Sequence, residues 1–272
     1  MQNIAPAGLS APEAYVLINL PRRDAHHALK LGFMGLVAQG ILRLETEDRP
    51  GFIRTRHIPH LRAAPDLPAP LPPVAASLVK VVQGAAPEGL IKNVLRECQR
   101  EYRRTLAGFI QDCVGPALVA RGLAEPKRKR ALGLFPYDSL ALTEAGEAEK
   151  SRLKDLIREA EAIPNLLDSD PAKAASLVAT LGSAFLLVDA LKPHYPALEK
   201  AMRQPDGSGG GDGGNYFSDS GTSGGFENAC FDFGHLDFSC FDAGAFDSFD
   251  AGFSDAGGGD GGGGGDGGGS GC

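Results

Sequence analysis

Leu36-Val37-Ala38-Gln39-Gly40-Ile41-Leu42-Arg43-Leu44-Glu45 decides the fold, because an apolar helical run stops on a glycine and resumes with strand character. Upstream of it, Ala28, Leu29, Leu31, Phe33, Met34, Leu36 and Val37 follow Asp24 at the spacing of a buried helix. Gly40 reads as the C′ residue, where left-handed backbone favours glycine. Ile41 to Glu45 and Gly51 to His57 then read as two short strands around Asp48-Arg49-Pro50-Gly51, a turn with Pro and Gly where turn chemistry wants them. Before all this, Ser10-Ala11-Pro12-Glu13 has the form of a capping box, and the spacing of Ala14, Tyr15, Leu17 and Ile18 predicts a short first helix.

The same order of helix, glycine and hairpin returns downstream. Five prolines between Ala63 and Pro73 make an extended linker. Val74 to Val82 and Leu90 to Ala107 then have helical spacing, the second continuing through Phe109, Ile110, Val114, Leu118 and Val119 to Arg121-Gly122, with a kink or split at Gly115-Pro116. After Gly122 come a basic stretch and Ser139-Leu140-Ala141-Leu142-Thr143, from which Thr143 opens a polar helix over 147–162. Asp168-Ser169-Asp170-Pro171 offers capping oxygens ahead of a Pro at the first helical position and predicts a core helix through Ala174 to Leu191. Pro193 and Pro196 stop it, with a last short helix at Ala197 to Arg203. The expected fold is mainly α: a helical body with two helix-plus-β-hairpin, winged-helix-like units. Its parts are a first unit over 1–62, a Pro-rich linker over 63–73, a second helical unit with a basic hairpin over 74–205, and a tail over 206–272.

Composition separates that tail from the body. Residues 206–272 hold 24 of the 37 Gly, 9 of the 14 Phe, 11 Asp, one Glu and no Lys or Arg. The tail is thus −12, and the body keeps 27 cations against 22 acids, a formal +5 beneath the overall −7. A body of this length can bury a real core, whereas Phe and Asp strung among glycines cannot repay their ordering entropy and read as disordered. Cys230-Phe231-Asp232 is echoed by Cys240-Phe241-Asp242, so the Phe residues suit contact with a protein partner or self-association into a homo-oligomer; a solubilising tail fits equally.

Lys127-Arg128-Lys129-Arg130 runs directly into Ala131-Leu132-Gly133-Leu134-Phe135-Pro136. Two readings fit. One is a solvated basic turn before a core strand. The other is an anionic membrane surface, where each cation gains roughly 1 kcal/mol near the leaflet and Leu132, Leu134 and Phe135 enter the headgroup region. Arg100, Arg103 and Arg104, one to two helical turns before Gly108, form a second cationic group suited to phosphate contacts or to a solvated helix face.

The sequence carries no nucleophile elbow, phosphate loop, metalloprotease helix or dinucleotide fingerprint, so the expectation is a non-enzyme without cofactor. Cys230, His235 and Cys240 supply three ligands where a closed zinc site needs four, and His26-His27 and His57-x-x-His60 lack acidic or thiol partners; no metal is expected. The N-terminal stretch lacks the basic start and apolar core of a secretory signal, and the most apolar window, Leu177 to Leu191, is 15 residues long and contains Asp189. With five cysteines and no CxxC pair, these features point to the cytoplasm, with membrane association at the surface only. Nucleic acid is disfavoured as a partner, because Phe33-Met34-Gly35-Leu36-Val37 and Pro116-Ala117-Leu118-Val119-Ala120 are apolar where base-reading helices expose polar residues.

Leu118-Val119-Ala120-Arg121-Gly122-Leu123, the basic stretch, Leu132-Gly133-Leu134-Phe135-Pro136, and Asp170-Pro171 leading into Ala175 to Leu181 together resemble the Golgi phosphoprotein 3 family; Leu36 to Glu45 is similar to an earlier family element. The resemblance spans about residues 10 to 190. It implies a mostly helical peripheral membrane protein that binds phosphatidylinositol 4-phosphate, with the membrane-facing hairpin on Lys127 to Tyr137. The chain departs from the family in having no Trp for the lipid pocket, and in carrying Gly108 and Gln111 where two arginines are expected. Pro21-Arg22-Arg23, Leu142-Thr143-Glu144-Ala145-Gly146 and the Gly-rich tail also look like bacterial tandem winged-helix-like proteins with glycine tails.

Overall fold

The computed structural model describes residues 8–20, 24–49, 56–85, 89–131 and 135–195. The tail, the helix expected over 197–203 and the Pro50-Gly51 turn lie outside the described residues. The described chain is mainly helical, with two two-stranded antiparallel sheets. In chain order it forms α1 (Ala11–Asn19), α2 (Ala25–Ala38), β1 (Leu42–Arg49), β2 (Arg56–Ala63), α3 (Pro73–Gly84) and α4 (Ile91–Glu101). There follow a π-helical turn (Phe109–Val114), α5 (Gly115–Ala120), β3 (Ala124–Ala131), β4 (Phe135–Leu142), α6 (Glu144–Ala160), α7 (Ile163–Ser169) and α8 (Pro171–Leu181). Two 3-10 turns, Gly182–Leu187 and Asp189–His194, complete it.

α1 lies in the centre. Ala11, Ala14, Val16 and Leu17 are buried, and the helix packs on α2, α5, α6 and the first 3-10 turn. Its start is the expected capping box, in which the Ser10 amide donates to the Glu13 carboxylate at 2.8 Å. Glu13 itself is only 4% exposed. Its other oxygen meets Nε of Arg121 at 3.2 Å, so the buried charge is paired. The Ser183 hydroxyl donates to the Leu9 carbonyl at 2.9 Å and ties the C-terminal turns to the same helix end.

Both hairpins leave their helices through one device. Gly40 (φ +67°) and Gly122 (φ +71°) are left-handed. The Gly40 amide bonds to Val37 O and that of Ile41 to Leu36 O, both at 2.9 Å; the Gly122 amide bonds to Val119 O at 2.9 Å and that of Leu123 to Leu118 O at 3.0 Å. Each pair is a Schellman motif. Each hairpin then has eight-residue strands and closes on the residue after the glycine, Ala64 N–H to Ile41 O at 2.9 Å and Thr143 N–H to Leu123 O at 3.2 Å.

Three elements differ from the sequence expectation. β2 lies at Arg56–Ala63, further along than Gly51 to His57, because Leu61 and His60 are the residues that bury against the body and the Leu61 amide bonds to Gly89 O at 2.7 Å. The long helix expected from Leu90 breaks earlier than Gly115-Pro116. α4 stops at Glu101, and Tyr102 turns inward with its hydroxyl 2.8 Å from that of Ser77. Arg103 and Leu106 then take positive φ, and the Gly115 amide reaches Ile110 O, a π-type bond just before Pro116, which has no amide to give. The core helix expected to Leu191 ends at Leu181, where Gly182 (φ +53°) breaks it into 3-10 turns, although its start is as expected, with the Asp170 carboxylate accepting from Lys173 N–H at 3.0 Å.

Unfolding in urea tests this framework. Arg121→Ala strands the Glu13 carboxylate and is expected to cost about 2–3 kcal/mol, less than the 3–5 of a fully buried pair because the Arg121 side chain stays 30% exposed. Gly122→Ala, with open space around it, should lose only the left-handed backbone term of about 1–2 kcal/mol. Gly146→Ala should lose more than Gly122→Ala, since its Cβ would collide with the Leu123 carbonyl oxygen.

Candidate functional site

The β3–β4 hairpin is anchored at its base. The Thr143 hydroxyl donates to Gly122 O at 2.7 Å and accepts from the Gly146 amide at 3.0 Å, so one side chain joins the Schellman glycine to the N-cap of α6. Leu140 packs onto Gly115. β3 packs on α5 and β4 on α6. The register pairs Ala124 with Leu142 at the base and Ala131 with Phe135 at the far end.

The basic run lies in strand β3, not in a turn, and fills its outer half. Lys127 faces Ser139, Arg128 faces Asp138, Lys129 faces Tyr137 and Arg130 faces Pro136. Alternation puts Lys127 and Arg128 on opposite faces of the ribbon. With eight residues at roughly 3.3 Å each, the strand reaches roughly 25 Å from its base. Lys127 and Arg128 are exposed and form no ion pair with any described residue. Asp138, opposite Arg128, leaves four cations against one acid on this outer half. Leu132 and Leu134, and the side chains of Lys129, Arg130 and Phe135, lie outside the described residues.

The second expected group sits elsewhere, at the end of α4, which packs on α3 and β2. Arg100 pairs with Glu97 at 2.6 Å. Arg103 pairs with Asp112 at 3.6 Å and donates to Oε1 of Gln111 at 3.0 Å. Arg104 is exposed and makes no ion pair with a described residue. The structure therefore does not join these arginines to the hairpin, and two of the three are already held by acids.

A cavity of about 440 Å³ was not read from the sequence. It lies between α1, α2, α6 and the two 3-10 turns, lined by buried Leu31, Met34 and Leu186 and by half-buried Ile18, Ile157 and Leu187. Its cations are Lys30, Lys154, Arg158 and Lys192, against the acids Glu161 and Asp189. Arg158 is held by Asp155 and Lys192 by Asp189, both at 2.9 Å. Lys154 forms no ion pair with a described residue. Tyr15 and His27 also line it, their ring centroids 4.7 Å apart, and the Tyr15 hydroxyl accepts from the Asp24 amide at 3.3 Å. Its residues come from elements as far apart as positions 15 and 192. The one sequence signal was the spacing of Lys154, Ile157, Arg158 and Glu161 on one face of α6, where an apolar residue sits among charges.

Among the described residues, no three His, Cys, Asp or Glu side chains are grouped to hold a metal ion, and no helix is long and apolar enough to cross a membrane. Burial raises the Cys98 and Cys113 thiols above their ordinary value, which makes them poor nucleophiles. No model of a known protein family matches the chain, and a search of curated proteins found no match.

His27 supplies a test of the cavity's electrostatics. Burial lowers its pKa below the ordinary 6.5; Asp24 and Asp189 raise it again, while Lys30 and Lys192 lower it further. The unfolded chain then binds more protons between the folded value and about 6.5, so stability rises with pH through that window and is lost as pH falls. His27→Gln is expected to flatten that part of the profile, read from urea midpoints across acid and neutral pH.

Proposed function

We propose that this protein is a non-enzymatic peripheral membrane or adaptor protein of the cytoplasm, which binds anionic lipid surfaces through the β3–β4 hairpin. The observation that carries the reading is the register of β3, with four consecutive cations on the outer half of a hairpin packed through its base. Four cations less one acid yield roughly 3 kcal/mol at an anionic leaflet, weaker than a millimolar interaction. Insertion of Leu132, Leu134 and Phe135 has to supply the remainder, and burying one such side chain contributes about 1.5–3 kcal/mol. Charge thus recruits and the apolar end retains.

The resemblance to the Golgi phosphoprotein 3 family supports the same reading and suggests phosphatidylinositol 4-phosphate as the headgroup. Arg104 is the member of the second arginine group best able to meet a phosphate, since Arg100 and Arg103 are already paired. A winged-helix outline, helix then hairpin twice over, invites duplex DNA as the alternative. Against it, Phe33, Met34, Leu36 and Val37 of α2 are all buried and α5 has only six residues, so the half of α2 next to its hairpin and the whole of α5 carry no polar side chain to read bases. A scaffold acting through the Phe/Asp/Gly tail is the remaining reading, and the tail lies outside the described residues.

Co-sedimentation of the full chain with neutral vesicles, anionic vesicles and anionic vesicles carrying phosphatidylinositol 4-phosphate tests the proposal. Binding to the anionic sets alone is expected. Lys127→Ala/Arg128→Ala should weaken it about thirtyfold, for two cations at roughly 1 kcal/mol each, and Leu134→Asp/Phe135→Asp should abolish it. Equal pelleting with neutral vesicles, or salt-sensitive retention by duplex DNA without vesicle binding, would overturn the membrane reading.

A further inference from the structure

We infer that the cavity between α1, α2 and α6 is a binding site for a small amphiphilic anion, one apolar chain with a single carboxylate or phosphate-monoester head. This does not depend on the hairpin. The volume of about 440 Å³ falls within the roughly 300–1,000 Å³ of small-molecule sites. Its lining is split in the way such a ligand requires. Leu31, Met34 and Leu186 give an apolar floor, and the unbranched Met34 side chain can adapt to a chain of variable path. Around it, four cations stand against two acids. His27 is held toward its neutral form by burial, so the lining carries two net positive charges, which favours an anionic head and disfavours a cationic one.

Lys154 is the recognition residue. It is exposed, lines the cavity and makes no ion pair with a described residue, whereas Arg158 and Lys192 are each held by an acid. Ile157, half-buried one turn along the same helix, brings an apolar wall next to that ammonium group. Adjacent apolar and cationic groups on one helix face match adjacent chain and head in the ligand. The shared chemistry also occurs in a membrane lipid headgroup, so the test uses free single-chain ligands below their micelle concentration.

The experiment is isothermal titration of the full chain with dodecanoate and dodecyl phosphate, against dodecyltrimethylammonium and dodecyl maltoside. One-to-one binding of the two anions is expected, with the cationic and neutral chains at least tenfold weaker. Lys154→Glu should weaken dodecanoate about tenfold, as reversal of one partly exposed charge contact allows. Ile157→Trp should block it by filling the cavity, with its circular dichroism and urea midpoint establishing that it folds. Lys127→Ala/Arg128→Ala should bind dodecanoate as the wild type does, which keeps this result distinct from that of the hairpin. Absence of dodecanoate binding, equal affinity for the cationic chain, unchanged affinity in both cavity variants, or loss of binding in the hairpin variant would each overturn the assignment.

Discussion

The buried carboxylate of Glu13 is the constraint around which the described body is arranged. It sits in the first turn of α1, accepts from the Ser10 amide, and faces Arg121, the C-cap of α5. A charge so placed cannot lose its partner without being left unpaired in a poorly solvating interior, and that penalty exceeds any gain from forming the pair. The relative positions of α1 and α5 are therefore fixed by electrostatics as well as by packing. Because Arg121 immediately precedes Gly122, the same ion pair also sets where the second hairpin departs. The Ser183 hydroxyl on Leu9 O extends this control to the C-terminal turns, which in turn form one side of the cavity.

Local chemistry was legible in the sequence wherever it was short-range. The Ser10/Glu13 capping box, the Asp170-Pro171 start, Thr143 as an N-cap and Gly40 as a C′ residue each depend on neighbours within a few positions, and each is present. Long-range packing was not. The position of β2 depends on a bond from Leu61 to Gly89, and the end of α4 on Tyr102 reaching Ser77, 25 residues away in sequence. The apolar run Ala174 to Leu191 predicts one core helix, yet the positive φ of Gly182 ends it at Leu181. The basic run was legible as a charge cluster, but its register was not, because the partner strand's phase is set by Thr143 and Leu123 at the base. The cavity was invisible, since five elements assemble it and none carries more than a fragment of its chemistry.

The two junctions also share Leu-Val-Ala-x-Gly, at 36–40 and 118–122, with Gln39 in one and Arg121 in the other. An identical backbone exit thus serves opposite ends. The first hairpin carries Leu42 and Leu61 inward, with His60 buried beside Leu90 and within 3.1 Å of Glu47, and it packs on α2, α3 and α4. Counted from the glycine, the second places Lys127 to Arg130 where the first carries Glu45, Thr46, Glu47 and Asp48. Cations on a two-stranded ribbon also guard its unpaired edges against pairing with another chain. Four in succession, concentrated on the outer half of β3 with a single acid opposite, also give the hairpin the local charge that the proposed encounter with an anionic surface requires.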